Sequence, residues 1–281
     1  MTVEPEGDRE MRVTRGGVRA LGGSALILML AACGSGGGAS TQPARSRGTA
    51  DVAAYCTAKK AFETAPDPDV DFGSASPKEL AAAGKKYAAS TLRPIFDDIL
   101  ASAPVEVWDA SKVIDEGITE LEQTGNFRLF NAPEFAAAQA TTHAFDRDHC
   151  GWGRVDVTAT DYAFSGIPDE VEPGTVSFDL TNRSGDEIHE MAIFKKRDGV
   201  TTPIQALLES AGSAEKGAGQ DITLVGQSLA SPGHSGYVVL DLVPGNYAVV
   251  CSVHVGATAQ NPKGNGPMHY TKGMLAEFAV R

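Results

Sequence analysis

The chain has 281 residues, with 36 acidic against 24 basic side chains and a formal charge of −12. With 42% hydrophobic and 21% charged residues it fits a folded protein rather than a disordered one. The acidic balance excludes a general nucleic-acid binder, which needs a basic face for phosphates, so no nucleic acid is expected as a partner. No apolar run reaches the ~20 residues of a membrane-spanning helix, so a polytopic membrane protein is not expected. At roughly 100–200 residues per domain, the length suits one or two domains.

In chain order, Arg9, Arg12, Arg15 and Arg19 come first, then an apolar run, Ser24 to Leu30, too short to span a bilayer. Leu30-Ala31-Ala32-Cys33 follows, then Gly and Ser. This stretch resembles a bacterial lipoprotein signal. The resemblance implies a signal peptide over 1–32, cleavage before Cys33 and diacylglycerol on its sulfur. Two acyl chains anchor stably where one is marginal. The chain is then expected on the bacterial cell membrane, lipid-anchored and facing outside the cytoplasm. Residues 33–50, rich in Gly, Ser, Thr and Ala, read as a flexible tether.

With Cys33 assigned to lipid, Cys56, Cys150 and Cys251 remain, an odd number. Cys56 and Cys150 bracket a helix-rich segment and are expected to pair as a disulfide in an oxidising compartment. Cys251 is then a free thiol. The alternative pairs Cys251 with one of the other two, and the neighbourhood of Cys251 argues against it.

Residues 51–151 read as a small all-α helical bundle of four helices. The first runs from about Asp51 to Ala65. Ser76-Pro77-Lys78-Glu79 is a capping box with proline at the first helical position. The helix it starts runs to about Ala101 with a kink at Pro94. Val105 to Thr124 keeps helical spacing until Gly125, and Asn131-Ala-Pro-Glu134 starts a last helix ending at His149. His143, Asp146, Asp148 and His149 sit at its end. His143 and His149 are six apart and point about 120° from each other, so they read as solvated helix-end residues rather than a metal site.

From Trp152 the period changes to two. Val155, Val157 and Ala159 alternate with polar residues, as do Val176, Phe178 and Leu180. Further short strands are expected at Met191–Phe194, Tyr237–Leu242, Tyr247–Cys251 and Leu275–Val280. Six or seven strands with turn signals make an all-β sandwich over 152–281. Thr202-Pro203 starts a short inserted helix, and 210–230 reads as a Gly-rich excursion. The fold class is thus α+β, as a two-region chain.

The β region holds His189, Cys251, His254, Met268, His269 and Met274. Two imidazoles, a thiolate and a weak axial thioether are the donor set of a blue-copper site. Order and spacing carry a resemblance here. A strand ends in Asn182 before Ile188-His189-Glu190-Met191. Pro244-Gly245-Asn246-Tyr247 leads into Cys251. Pro267-Met268-His269 is followed by Gly273-Met274 and a last strand. Residues 153–281 are similar to a cupredoxin of the plastocyanin or azurin type. That implies a Greek-key sandwich with one type 1 copper ion, His189, Cys251 and His269 as ligands and Met274 as the axial one. The loop from Cys251 to His269 is longer than the family usually has, so His254 stays open as the second histidine and Met268 as the axial ligand. His234 reads as a surface residue.

The implied function is one-electron transfer between membrane-associated partners, such as an extracytoplasmic redox protein or a respiratory complex. Copper binding or delivery without electron transfer, and a metal-free binding module of the same fold, are the alternatives. A multicopper oxidase needs His-x-His pairs that are absent here, and no Gly-x-Ser-x-Gly or His-Glu-x-x-His motif occurs. An enzyme is the weakest reading.

Overall fold

A computed structural model describes residues 48–72, 74–213 and 221–281. The expected signal peptide, Cys33 and nearly all of the tether lie outside these residues.

Helices occupy the first part. Asp51 caps α1 (Val52–Glu63), its carboxylate accepting from the Ala54 N–H. The capping box forms at α2 (Pro77–Tyr87). The Ser76 hydroxyl accepts from Glu79 N–H while the Glu79 carboxylate accepts from Ser76 N–H. Both donors belong to a first turn that has no helical acceptor to offer them.

The kinked helix expected through Pro94 is two helices. A π turn over Ala88–Leu92 joins α2 to α3 (Arg93–Ser102). Proline cannot donate to the preceding turn and its ring crowds the carbonyl there. The wider turn relieves this, with Arg93 N–H reaching back to Ala88 O. α4 (Val105–Thr124) stops at Gly125, which is left-handed at φ 72°. A Cβ at Gly125 would sit 2.0 Å from the Ala81 carbonyl oxygen, so the same glycine ends α4 and lets α2 close on it. α5 is Pro133–His149. Cys56 of α1 is disulfide-bonded to Cys150, just beyond α5. Tyr55, Leu92, Phe96, Ile99, Ile114, Ile118 and Leu121 fill the core between the helices.

Nine strands follow among the described residues: β1 (Gly153–Thr160), β2 (Ala163–Ser165), β3 (Glu170–Val171), β4 (Gly174–Asn182), β5 (His189–Lys196), β6 (Ile222–Ala230), β7 (Ser235–Leu242), β8 (Gly245–Val250) and β9 (Leu275–Val280). They form two sheets, in the orders β2-β1-β4-β7 and β3-β9-β8-β5-β6. β7 lies against β6 at the corner of the sandwich and pairs with β4. Strands β4 to β7 therefore make a Greek key. The inner faces meet through Val155, Val157, Phe178, Leu180, Val238, Ile193, Val249 and Phe278. α6 (Ile204–Ser213) is inserted between β5 and β6 and packs Ile204 on Ala248 and Val250.

Two expectations need correction. The excursion read over 210–230 contains β6, which pairs with β5 at the sheet edge and carries a bulge opposite Ile193 and Phe194. Gly226, Gln227 and Ser228 blur its alternation, and an edge strand with one paired side needs less of it. Second, His143 and Asp146 are not solvated. They lie three apart on α5 and are both buried, His143 against the β4–β7 side of the sandwich and Asp146 against α1. His143 stacks on Tyr237 with ring centroids 3.6 Å apart, and its Nε2 contacts Asp179. Lys59 Nζ lies 2.7 Å from Glu63 Oε1 and 3.5 Å from Asp146 Oδ2. The Tyr237 hydroxyl approaches Glu63 at 3.4 Å. Asp148 and His149 alone in that group are exposed. Burial works against the Lys59 ammonium, but the Glu63 and Asp146 carboxylates outweigh it and hold its pKa above the ordinary lysine value.

Candidate metal centre

Three chain stretches build the centre, each set by backbone hydrogen bonds. β4 ends in Asn182, which is fully buried. Its Nδ2 donates to the carbonyls of Glu187 and Ala230, both at 2.8 Å. Its Oδ1 accepts from the Ser184 N–H at 2.9 Å and the Ser184 hydroxyl at 2.7 Å. One amide thus pins loop 183–188 and fixes where His189 begins β5.

Cys251 comes immediately after β8. Its N–H donates to Met274 O, and its carbonyl accepts from Tyr270 N–H. His269 donates its N–H to Val253 O and starts a 3-10 turn that ends at Gly273, left-handed at φ 99°. The ends of the long loop are paired like a hairpin. Val255 N–H bonds to Pro267 O, and His254 bridges Met268 in antiparallel fashion. The seventeen intervening residues therefore do not carry His269 away from Cys251.

The ligating atoms of His189, Cys251 and His269 lie within 4.8 Å of one another. Cys251 Sγ is 3.3 Å from His269 Nδ1 and 4.0 Å from His189 Nδ1, and the two Nδ1 atoms are 3.1 Å apart. All three residues are 0% exposed. Burial pushes the Cys251 thiol up to about 12. Burial, and then the neighbouring His269, hold His189 down at about 4. His269 is also lowered, chiefly by burial, against the pull of Glu187. Without an ion the group is a thiol and two neutral imidazoles whose donor atoms face one another. Glu190 N–H points at Sγ from 3.3 Å, a contact suited to a thiolate. This donor set fits a metal that takes thiolate and imidazole together, at the cost of the thiol proton.

Met274 is fully buried in the same core as Cys251, and its N–H donates to His269 O. His254 stands apart from the cluster. It is exposed, and its Nδ1 lies 2.7 Å from Gly266 O as donor. Met268 is half-buried on the bridge to His254, and His234 is exposed.

Two neighbours escaped the sequence reading. Glu187 Oε2 lies 2.7 Å from His269 Nε2, close enough to pair but off hydrogen-bond alignment. The Tyr162 ring meets the His269 ring edge-on at 5.1 Å, from a residue held at φ 61°. A lone glutamate two residues before a histidine carries no recognisable pattern. The left-handed Tyr162 follows a turn whose purpose shows only once His269 is beside it.

No family model matches the sequence, and no curated protein matches it. Among solved structures, the chain is similar to the dithionite-reduced auracyanin of Roseiflexus castenholzii. The match is 18% identical and covers 46% of this chain and 96% of that one, with a TM-score of 0.30. It is similar to auracyanin B at 20% identity, covering 46% and 88%, with a TM-score of 0.28. An azurin from Methylomonas sp. strain J matches at 13% identity, covering 46% and 98%, with a TM-score of 0.28.

Proposed function

We propose that this chain is a blue-copper electron carrier. His189, Cys251 and His269 would hold one copper ion, with Met274 as a further, weak thioether donor. The observation that carries this is the convergence of two Nδ1 atoms and one thiol sulfur at a fully buried point. When bound, copper supplies a one-electron couple between Cu(II) and Cu(I). The chain's own residues do the rest. β5, β8 and the turn before β9 hold the donors in place from a packed core, so little moves on electron transfer. Complete burial keeps water off the donors and disfavours ready exchange of the ion, which speaks against a delivery protein.

The setting is part of the same proposal. Cys33 carries lipid, the bundle and sandwich sit outside the cytoplasm of a bacterial cell, and an extracytoplasmic redox protein or respiratory complex exchanges the electron. The Leu30-Ala31-Ala32-Cys33 motif supports the anchor. The Cys56–Cys150 disulfide supports an oxidising compartment. A tether raises the local concentration of a carrier near membrane-bound partners.

The test is the visible spectrum of the Cu(II)-loaded chain. An intense thiolate-to-copper charge-transfer band is expected, absent in Cys251→Ser and His269→Ala and kept in His254→Ala. A chain that takes up no copper, or binds it without that band, overturns the reading in favour of a metal-free binding module. Cys33→Ala is expected to leave the membrane fraction. A variant that stays there refutes the anchor.

A further inference from the structure

We propose that Glu187 is the positioning residue of the centre, holding His269 by its Nε2 and setting the charge that the bound ion feels. The inference rests on the copper reading above and deepens it. A histidine that ligates through Nδ1 must carry its proton on Nε2, and a buried N–H without an acceptor is costly. Both Nε2 atoms are buried, and neither has an aligned hydrogen-bond partner among the described residues. The two histidines differ in what lies within reach: His269 Nε2 alone has a carboxylate oxygen beside it, Glu187 Oε2 at 2.7 Å.

Glu187 is itself held through its other carboxylate oxygen and its backbone carbonyl. Its Oε1 accepts from Gly256 N–H at 2.8 Å and faces the Tyr162 hydroxyl at 3.5 Å. Its carbonyl accepts from Asn182 Nδ2 and lies 2.8 Å from the Ser184 hydroxyl. It therefore joins the loop before β5 to the long loop after Cys251. Beside it, Ile188 N–H donates to Ala257 O across the same two stretches.

One proton arrangement suits the contacts without an ion. His189 donates from Nδ1 to His269 Nδ1, and His269 carries its own proton on Nε2, facing the Glu187 carboxylate. An oriented carboxylate behind a ligating imidazole raises its basicity and favours the more highly charged ion. His269 is then the ligand that favours Cu(II) over Cu(I), and Glu187 is the reason.

The experiment uses the full chain with Glu187→Gln and Glu187→Ala. On the metal-free chain, ring-nitrogen NMR is expected to place the His269 proton on Nε2. Glu187→Gln keeps it there through its amide oxygen, and Glu187→Ala loses the preference. A wild-type proton on Nδ1, or no change in Glu187→Ala, overturns the positioning role whether or not copper binds. On the loaded chain, Glu187→Gln is expected to keep the charge-transfer band. Its ratio of Cu(II) to Cu(I) affinity should fall about tenfold, a rise of about 59 mV for a one-electron couple. An unchanged ratio overturns the charge-setting role. A wild-type chain without the band overturns the copper reading instead, while the NMR result still decides what Glu187 holds.

Discussion

Lys59→Met probes the buried charges that join α1 to α5. Lys59 is 1% exposed and sits between Glu63, also 1% exposed, and Asp146, 0% exposed. At an effective dielectric constant of 20, a charge pair at 2.7 Å attracts by roughly 6 kcal/mol before desolvation is counted. Desolvation cancels most of that, so the triad adds little over an apolar core. Removing one partner is different, because two carboxylates are then buried without a cation. The expected loss is about 3–5 kcal/mol. Methionine keeps most of the aliphatic stem, so the loss reports the charge, including the ammonium's place over the Phe62 ring at 5.2 Å, rather than a cavity. The pH dependence has a definite sign. Burial first, and Glu63 next among the raising causes, already hold Asp146 above its ordinary value. Without Lys59 it rises further, so the variant is worst at neutral pH and recovers as acid supplies the missing proton. Urea unfolding followed by Trp108 and Trp152 fluorescence, at pH 7.5 and pH 5, measures both effects. A triple variant that also replaces Glu63 and Asp146 by apolar residues should regain most of the stability. A loss below about 1 kcal/mol at pH 7.5, or a triple variant no better than the single, would refute the reasoning.

Two further outcomes are expected. Cys56 and Cys150 close a loop across 94 positions, which a chain-entropy treatment values at up to about 4–5 kcal/mol. Cys56→Ser with Cys150→Ser should lower the urea midpoint, and reductant should do the same to the wild type but not to the variant. An unchanged midpoint would show that the helices need no staple. In the metal-free chain, burial and then His269 hold the folded His189 down at about 4, well below the ordinary histidine value. The unfolded chain therefore binds this proton first as acid is added. The contribution is complete above about pH 6.5 and is lost as pH falls towards about 4. Midpoints measured across that range should fall for the wild type and fall less for His189→Gln. Parallel curves would contradict the assignment.

Much of the architecture is written in short-range chemistry. Ser76 to Glu79 announces a helix start, Gly125 a helix stop, and the alternation of Val155, Val157 and Ala159 a half-buried strand. These patterns work within about four residues, where cap, turn and side-chain period act directly on the backbone. The order His189, Cys251, His269, Met274 was legible for the same reason, as spacing along the chain. Other features exist only through contacts between distant residues. His143 and Asp146 look like solvated helix-end groups until the β4–β7 face covers the first and α1 the second. β6 looks like a loop until β5 offers it an edge. The spacing to Met274 favours His269 over His254 but leaves both open, because loop length does not encode how a loop is folded. The pairing of Val255 with Pro267 brings the ends of that loop together, and it places His269, rather than His254, at the sulfur. Glu187 gains meaning in the same way, since its partner is brought to it by sheet register across two strands and a hairpin.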